Sequence, residues 1–251
     1  GLDISTYLER LRDAGLGTLP GTAAEILDDR VRDIICPDKV NTAQWLEVME
    51  AAHGVGLRST ATIMYGHVDG PEHWANHLLH IRDLQIRTGG FTEFVPLPFV
   101  PEEAPIYLKG QARRGPTYRE AVLMHAVARL TLHPHITNIQ TSWVKMGPEG
   151  VKACLASGVN DVGGTLMNET ITRAAGAVHC QEFPPADLEA LITSAGRTPR
   201  LRTTLYEDAA LERREAAFAA GELEPVVNTP ARRYEREEKR NLVRAGQDAA
   251  D

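Results

Sequence analysis

Along this chain, short apolar runs of strand length alternate with longer stretches in which apolar residues recur at intervals of three and four. The first stretch, Ser5 to Ala14, sets Tyr7, Leu8 and Leu11 on one side and Glu9, Arg10, Arg12 and Asp13 on the other, which predicts an amphipathic helix. The strand-like runs are Leu16–Leu19, Arg58–Tyr65, Phe91–Pro96, Asn138–Lys145 and Asp161–Thr165. Helix starts between them carry chemical signals. Thr22-Ala-Ala-Glu25 and Thr117-Tyr-Arg-Glu120 have capping-box spacing, Asn41 with Gln44 is a similar pair, and Pro71 and Pro148 suit a first helical turn. Gly15, Gly56, Gly89 and Gly158 stand where helices end before strands.

Helix, glycine, strand, loop, helix is the sequence form of βα units around a parallel sheet. About five such units over residues 1–206 predict an α/β fold, the C-terminal part of a TIM-like (β/α)8 barrel. The chain opens inside a helix, so the first three barrel units are expected upstream of it. Residues 207–251 change character: 11 acidic and 8 basic residues with little aliphatic periodicity predict a charged, partly helical tail.

Composition narrows the function classes. With 43% hydrophobic residues, a chain of 251 residues can bury a large core. A formal net charge of −7 speaks against nucleic acid as a partner, and no apolar run reaches the roughly 18 residues that a membrane span needs. Cys36, Cys154 and Cys180 are too widely spaced for a disulfide framework or a CxxC-type metal site, so a reducing cytoplasm is the expected location and no metal ligands are expected in this chain.

In such a barrel the chemistry gathers at the C-terminal ends of the strands. Those positions nominate Thr22 and Glu25, then Gly66 and His67, then Trp143 and Lys145, then Asn168 and Glu169. Each has a plainer reading. Glu25 also completes the Thr22 capping box, Trp143 also suits barrel filling, and Asn168 and Glu169 also suit a turn. His67 follows a glycine at a strand end, where a titratable ring points to function. His53, His73, His77 and His80 fall on helices, and their plain reading is a solvated helix face. The long connection from Val100 to Gly115 suits a loop over the barrel mouth, with Arg113 and Arg114 facing either a substrate carboxylate or water.

Gly17-Thr-Leu-Pro-Gly-Thr-Ala-Ala-Glu-Ile-Leu27, Ile34-Ile-Cys-Pro-Asp-Lys39, Ser59-Thr-Ala-Thr-Ile-Met-Tyr-Gly-His67, Phe91-Thr-Glu-Phe-Val-Pro-Leu-Pro-Phe99 and Ser142-Trp-Val-Lys-Met-Gly147 resemble the deazaflavin (FO) synthases of the radical S-adenosylmethionine superfamily. The match is to the half that joins a tyrosine-derived fragment to a ribityl-aminouracil, and it runs from about residue 1 to Tyr206. The resemblance implies a 4Fe–4S cluster held by a CxxxCxxC loop, S-adenosylmethionine bound to that cluster, and a 5′-deoxyadenosyl radical that abstracts hydrogen from tyrosine. The resulting 4-hydroxybenzyl radical adds to 5-amino-6-(D-ribitylamino)uracil on the way to coenzyme F420. No CxxxCxxC occurs in this sequence. The cluster ligands are therefore expected in missing N-terminal barrel units, and the chain alone is expected to be inactive. A second radical-SAM module is a further partner in the fused members of the family.

By the same resemblance, Thr62-Ile-Met-Tyr-Gly-His-Val-Asp69 is similar to the superfamily's GxIxGxxE segment, so Thr62, Ile63, Met64 and Gly66 are expected at the adenine and Thr22 and Glu25 at the ribose or methionine part. Asp69 departs from that pattern, and Cys180 stands where the family has glycine in its Arg-Ala-Ala-Gly…His-Gly run. His67, Lys145 and Glu169 are the candidate catalytic residues, and Glu93, Trp143, Asn168 and Arg173 the candidates for tyrosine and the uracil. Competing readings are a radical-SAM enzyme of menaquinone synthesis, a metal-dependent barrel hydrolase using His53 and His67, and a non-catalytic half barrel.

Overall fold

Local capping chemistry sets most element boundaries. Helix α1 (Ile4–Asp13) starts where the Asp3 carboxylate accepts the Thr6 N–H at 3.0 Å. Asn41 and Gln44 cap α3 (Thr42–Gly54) reciprocally, and Thr117 and Glu120 do the same for α6 (Tyr118–Leu132). Pro71 opens α4 (Pro71–Thr88), and Gly89 closes it in the left-handed conformation at φ 63°. The remaining elements are β1 (Thr18–Leu19), α2 (Asp29–Ile35), β2 (Arg58–Tyr65), β3 (Phe91–Pro98), α5 (Pro105–Leu108), α7 (Trp143–Ala156), α8 (Ile171–Ala174), α9 (Pro185–Ser194) and α10 (Leu211–Ala219). This computed structural model describes residues 1–21, 23–166, 169, 171–175, 182–221 and 223, without the Arg173 side chain. Thr22, Asn168, that side chain, Cys180 and the tail beyond residue 223 lie outside the described residues.

The sheet runs β1-β2-β3 with every neighbour parallel. Parallel bridges continue it in chain order, from Phe94 to Ile139 and from Gln140 to Asp161. Sequential parallel strands with helices between them form an arc of a (β/α) barrel, the predicted fold class. Ala61, Ile63 and Tyr65 of β2 and Phe94 of β3 face the helix layer. There they meet Leu78, Ile81 and Leu84 of α4 and Met124, Ala128 and Leu132 of α6. Each buried aliphatic side chain contributes roughly 1.5–3 kcal/mol, so this outer interface holds the arc together. Thr60, Thr62 and Met64 point the other way, toward the barrel interior.

Three expectations need correction. The Asn138–Lys145 and Asp161–Thr165 strands reduce to the single bridges at Ile139, Gln140 and Asp161. Helix α7 begins at Trp143, because Trp143, Val144, Gly147, Val151, Cys154 and Leu155 are all buried, a helical spacing that an alternating strand cannot provide. Gly147 (φ 63°, ψ 174°) kinks it and Pro148 restarts it. No helix follows Thr22-Ala-Ala-Glu25: Ala23 and Glu25 take left-handed φ of 69° and 45°, and α2 starts later, capped by Asp28.

Of the helix histidines read as solvated, His80 is exposed, His73 and His53 are half-buried and His77 is buried. His77 is fully buried and its Nδ1 accepts the Leu27 N–H at 3.0 Å; His53 lies 2.7 Å from both Thr88 Oγ1 and Ser59 Oγ. His125, also buried, bonds the Ala121 carbonyl. Burial holds His77 down to about 3 and His53 and His125 down to about 4, from an ordinary 6.5. Above 6.5 both folded and unfolded states are neutral at these rings. As pH falls below 6.5 the unfolded chain takes up protons that the folded chain refuses. Stability should therefore fall by up to about 1.4 kcal/mol per pH unit for each fully buried ring, and less for half-buried His53, until their folded values are reached. Urea unfolding across this window checks the slope; a flat profile removes the neutral buried rings from the account.

Candidate active site

The end of β2 is the most elaborately built part of the barrel mouth. The chain turns at Gly66 (φ 97°), where a side chain is excluded: a Cβ there would lie 2.3 Å from Pro116 Cδ. Asp69, buried, gathers the donors of this turn. Its oxygens accept the Gly66 N–H (2.9 Å to each), the His67 N–H (2.6 Å) and the Trp74 indole N–H. The His67 ring closes the same turn, with Nε2 3.1 Å from the Met64 carbonyl and Nδ1 accepting the Val68 N–H at 2.8 Å. That assigns the Nε2–H tautomer. Burial holds the His67 pKa down, opposed by the neighbouring Asp69 carboxylate. Only 2% of the residue is exposed, so His67 shapes the turn rather than presenting a free nitrogen to the mouth.

The long connection after β3 docks on this turn. Arg113 donates its backbone N–H to the His67 carbonyl at 3.0 Å, pairs with Glu120 at 3.0 Å and lies 5.7 Å over the Trp74 ring. Farther back, the Glu103 N–H bonds the Ala175 carbonyl at 3.1 Å, so the connection reaches from the β2 turn to the segment around α8.

Lys145 and Glu169 occupy that other side. Lys145 is half-buried in the first turn of α7 and makes no ion pair within 4.0 Å among the described residues. Burial lowers its pKa, and the Glu169 carboxylate opposes the shift. Glu169 accepts the Thr172 N–H at 2.9 Å, which aims it from the turn entering α8. Trp143 does not share the face of Lys145, because two residues on a helix point to different sides; its ring is buried, its Nε1–H bonds the Gly164 carbonyl at 2.8 Å, and it meets Phe183 edge-on.

Along β2, Thr62 donates to the Gly21 carbonyl at 2.8 Å and Met64 stands half-open, whereas Ile63 points into the helix layer and can offer only its backbone. The Glu25 carbonyl accepts the Met64 N–H at 2.9 Å, while its carboxylate pairs with Lys39 at 2.8 Å. Glu93 is separated from this group. It pairs in register with Thr60, near the N-terminal end of the sheet, and takes bonds from Gln140 (2.8 Å), Arg202 (3.2 Å) and the Tyr206 hydroxyl. Arg202 also pairs with Asp161 and lies 4.0 Å over the Tyr206 ring, so residues 202–206 close the barrel floor. Burial raises the Glu93 pKa, with Tyr206 and Arg202 acting against it. Asp69, Arg32 and the Arg202–Tyr206 floor were missed in the sequence; only Asp69, at the acidic position of a known motif, left a signal there.

An iron–sulfur cluster is held by several cysteine thiolates that converge on one site. Cys36 and Cys154 are buried free thiols, and among the described residues neither belongs to a group of three potential ligands, so they do not fit one. Among the described residues, no three His, Cys, Asp or Glu side chains group to hold a metal ion, and no helix is long and apolar enough to cross a membrane. The backbone from Ala23 to Glu25 is strained instead. Its two left-handed non-glycine residues, beside the inward-facing Thr62 and Met64, are the kind of local strain that collects at binding sites.

Comparisons with known proteins agree with this architecture. The crystal structure of methylornithine synthase superposes with a TM-score of 0.56 at 16% identity, covering 85% of this chain and 58% of that one, which establishes the fold. The chain is 56% identical over 206 residues to the FO synthase of Mycobacterium leprae and 54% identical over 217 residues to that of Streptomyces coelicolor, covering 82% and 86% of itself. It spans only 24% and 25% of those relatives' lengths. With the 5-amino-6-(D-ribitylamino)uracil--L-tyrosine 4-hydroxyphenyl transferase 1 of Methanosarcina mazei it shares 51% identity over 210 residues, covering 83% of this chain and 56% of that one. A family model described as the CofH/MqnC C-terminal region matches residues 88–214, just over half of the chain, and the chain belongs to that family.

Proposed function

We propose that this chain forms the C-terminal barrel part of an FO synthase, a radical-SAM transferase that joins the 4-hydroxybenzyl group of L-tyrosine to 5-amino-6-(D-ribitylamino)uracil. The observation that carries the reading is the 51% identity to a relative whose name states that pair of substrates. S-adenosylmethionine, when bound, supplies the radical chemistry. In this reading Thr22, Glu25, Thr62, Met64 and the backbone of Ile63 and Gly66 border it, and Asp69 with His67 keeps their turn rigid. Lys145 offers a poorly solvated ammonium to the substrate carboxylate, and Glu169 stands beside it as an acceptor for a substrate N–H or O–H. Trp143 supports the first turn of α7 beneath Lys145, Asn168 and Arg173 belong to the substrate side, and Glu93 acts from the barrel floor. The enzyme works in the cytoplasm, with neither nucleic acid nor membrane as a partner. Its 4Fe–4S cluster takes its ligands from barrel units outside this chain.

The test supplies the complete protein that carries this chain with S-adenosylmethionine, tyrosine and the ribityl-aminouracil under reducing, anaerobic conditions, and looks for the adduct by mass spectrometry. Turnover of a menaquinone-pathway substrate in place of these would sink the assignment. A companion result is expected for the chain alone: reconstituted with iron and sulfide, it should hold no stoichiometric cluster, because neither the cysteine spacing nor the buried Cys36 and Cys154 suit one. Iron analysis and the visible absorption spectrum check this.

A further inference from the structure

Arg32 is 2% exposed, and among the described residues it forms no ion pair with a carboxylate. Its guanidinium is surrounded by backbone carbonyls instead. Nη1 donates to Ala24 and, at 3.4 Å, to Ile26; Nη2 donates to Ala23 at 3.2 Å and to Val40, which Nε also reaches at 3.1 Å. A buried cation is costly; the Asp29 carboxylate on the same helix acts on it only at longer range, so these carbonyl dipoles are its direct partners. Three of the four carbonyls come from residues 23, 24 and 26, so the backbone wraps around one guanidinium. That wrapping coincides with the left-handed Ala23 and Glu25, conformations that cost of order 1–3 kcal/mol each for such residues.

The remaining anchors of the segment lie at its ends and at one point between. Gly21 is tied to β2 through Thr60 Oγ1 (2.6 Å) and Thr62 Oγ1 (2.8 Å), so closely that a Cβ on Gly21 would sit 2.2 Å from the Thr60 carbonyl. Glu25 is tied to Met64 through its carbonyl, and Leu27 to His77 through its N–H. The carbonyls of Ala23, Ala24 and Ile26 are held by Arg32. Ala24, Ile26 and Leu27 are buried, whereas Ala23 is exposed and Glu25 half-exposed, so the strained backbone keeps residues 23 and 25 at the surface beside the inward face of β2.

We propose that Arg32 is a positioning residue that holds residues 23–26 in the strained shape that receives S-adenosylmethionine. This rests on the reading of the segment as part of the cofactor site. Lysine cannot substitute: it has one nitrogen and three donors, where the guanidinium spans several carbonyls with a planar fork.

The experiment compares wild type, Arg32→Lys, Ala23→Gly and the double variant in the complete protein, with two readouts. The first is hydrogen exchange of the Leu27 and Met64 amides, which report the segment without any cofactor. The second is equilibrium dialysis of S-adenosylmethionine. Loss of charged hydrogen bonds worth about 1.5–3 kcal/mol converts to roughly 10–100-fold in each. Arg32→Lys should speed exchange and weaken binding by that order. In the Arg32→Lys background Ala23→Gly should restore part of the affinity, because glycine takes the left-handed conformation without strain. Affinities are compared where urea unfolding shows every variant fully folded, so that a general folding defect does not enter the comparison. Unchanged exchange in Arg32→Lys overturns the clamp; faster exchange with unchanged affinity overturns the link to the cofactor and leaves the transferase assignment standing. Should Arg32→Lys fail to fold, Arg32→Gln, which drops the buried charge and keeps an amide donor, carries the same readouts.

Discussion

Asp69→Ala is expected to cost about 3–5 kcal/mol of folding stability, a large part of what a domain of this size possesses. The carboxylate is the acceptor for the Gly66 and His67 amides and for the Trp74 indole, all within one buried turn. Removing it leaves three donors with nothing to replace the lost bonds, at roughly 1–3 kcal/mol each, reduced where water enters the vacated space. Asp69→Asn should cost less, since one oxygen remains, although its amide nitrogen faces donors. Urea unfolding of the complete protein measures both. A loss below about 1 kcal/mol for the alanine variant would transfer the turn's stability to the Arg113 strap.

Lys145→Met should behave in the opposite way, with adduct formation falling by roughly 10–100-fold, the loss of a charged hydrogen bond, and the melting temperature unchanged or raised. An ammonium whose pKa burial has lowered is destabilising where it stands, and a thioether of similar length fills the same space without that desolvation. The pH dependence supplies a second signature. The wild-type rate should decline on the alkaline side at a pH below the ordinary lysine value of 10.5, as the ammonium loses its proton, and this limb should disappear in the variant. Steady-state rates with tyrosine and the ribityl-aminouracil, set beside thermal melts, separate the two effects. A full wild-type rate in Lys145→Met would move the carboxylate-binding role elsewhere and leave Glu169 to be tested by Glu169→Gln.

Some of this was legible along the chain. The limits of β2 match the run Arg58–Tyr65, because alternation of Ser59, Ala61, Ile63 and Tyr65 against Thr60, Thr62 and Met64 is a strand's own signature. The caps at Asn41 and Thr117 read correctly because both partners of each lie within three residues. The Thr22 box had the same spacing and made no helix. Tertiary bonds hold it otherwise: Arg32 donates to the carbonyls of Ala23, Ala24 and Ile26, and Met64 to that of Glu25. Trp143 and Lys145 misled for a related reason: two alternating positions suit a strand, and only the burial of Val144 and Gly147 shows the helix.

The polar groups divide along the same line. By itself the sequence determined the order of βα units and the family, since periodicity, capping and motif strings are relations among near neighbours. Tertiary structure decided which polar groups are buried and what they do there. His67 became part of a turn because Met64, Val68 and Asp69 enclose it. Glu93 became part of a floor because Arg202 and Tyr206 come to it from 109 and 113 residues away. Burial sets pKa, hydrogen-bond demand and access together, and it depends on which distant segments meet. A chemical candidate can be nominated from its neighbours in sequence, but its task is assigned by its neighbours in space.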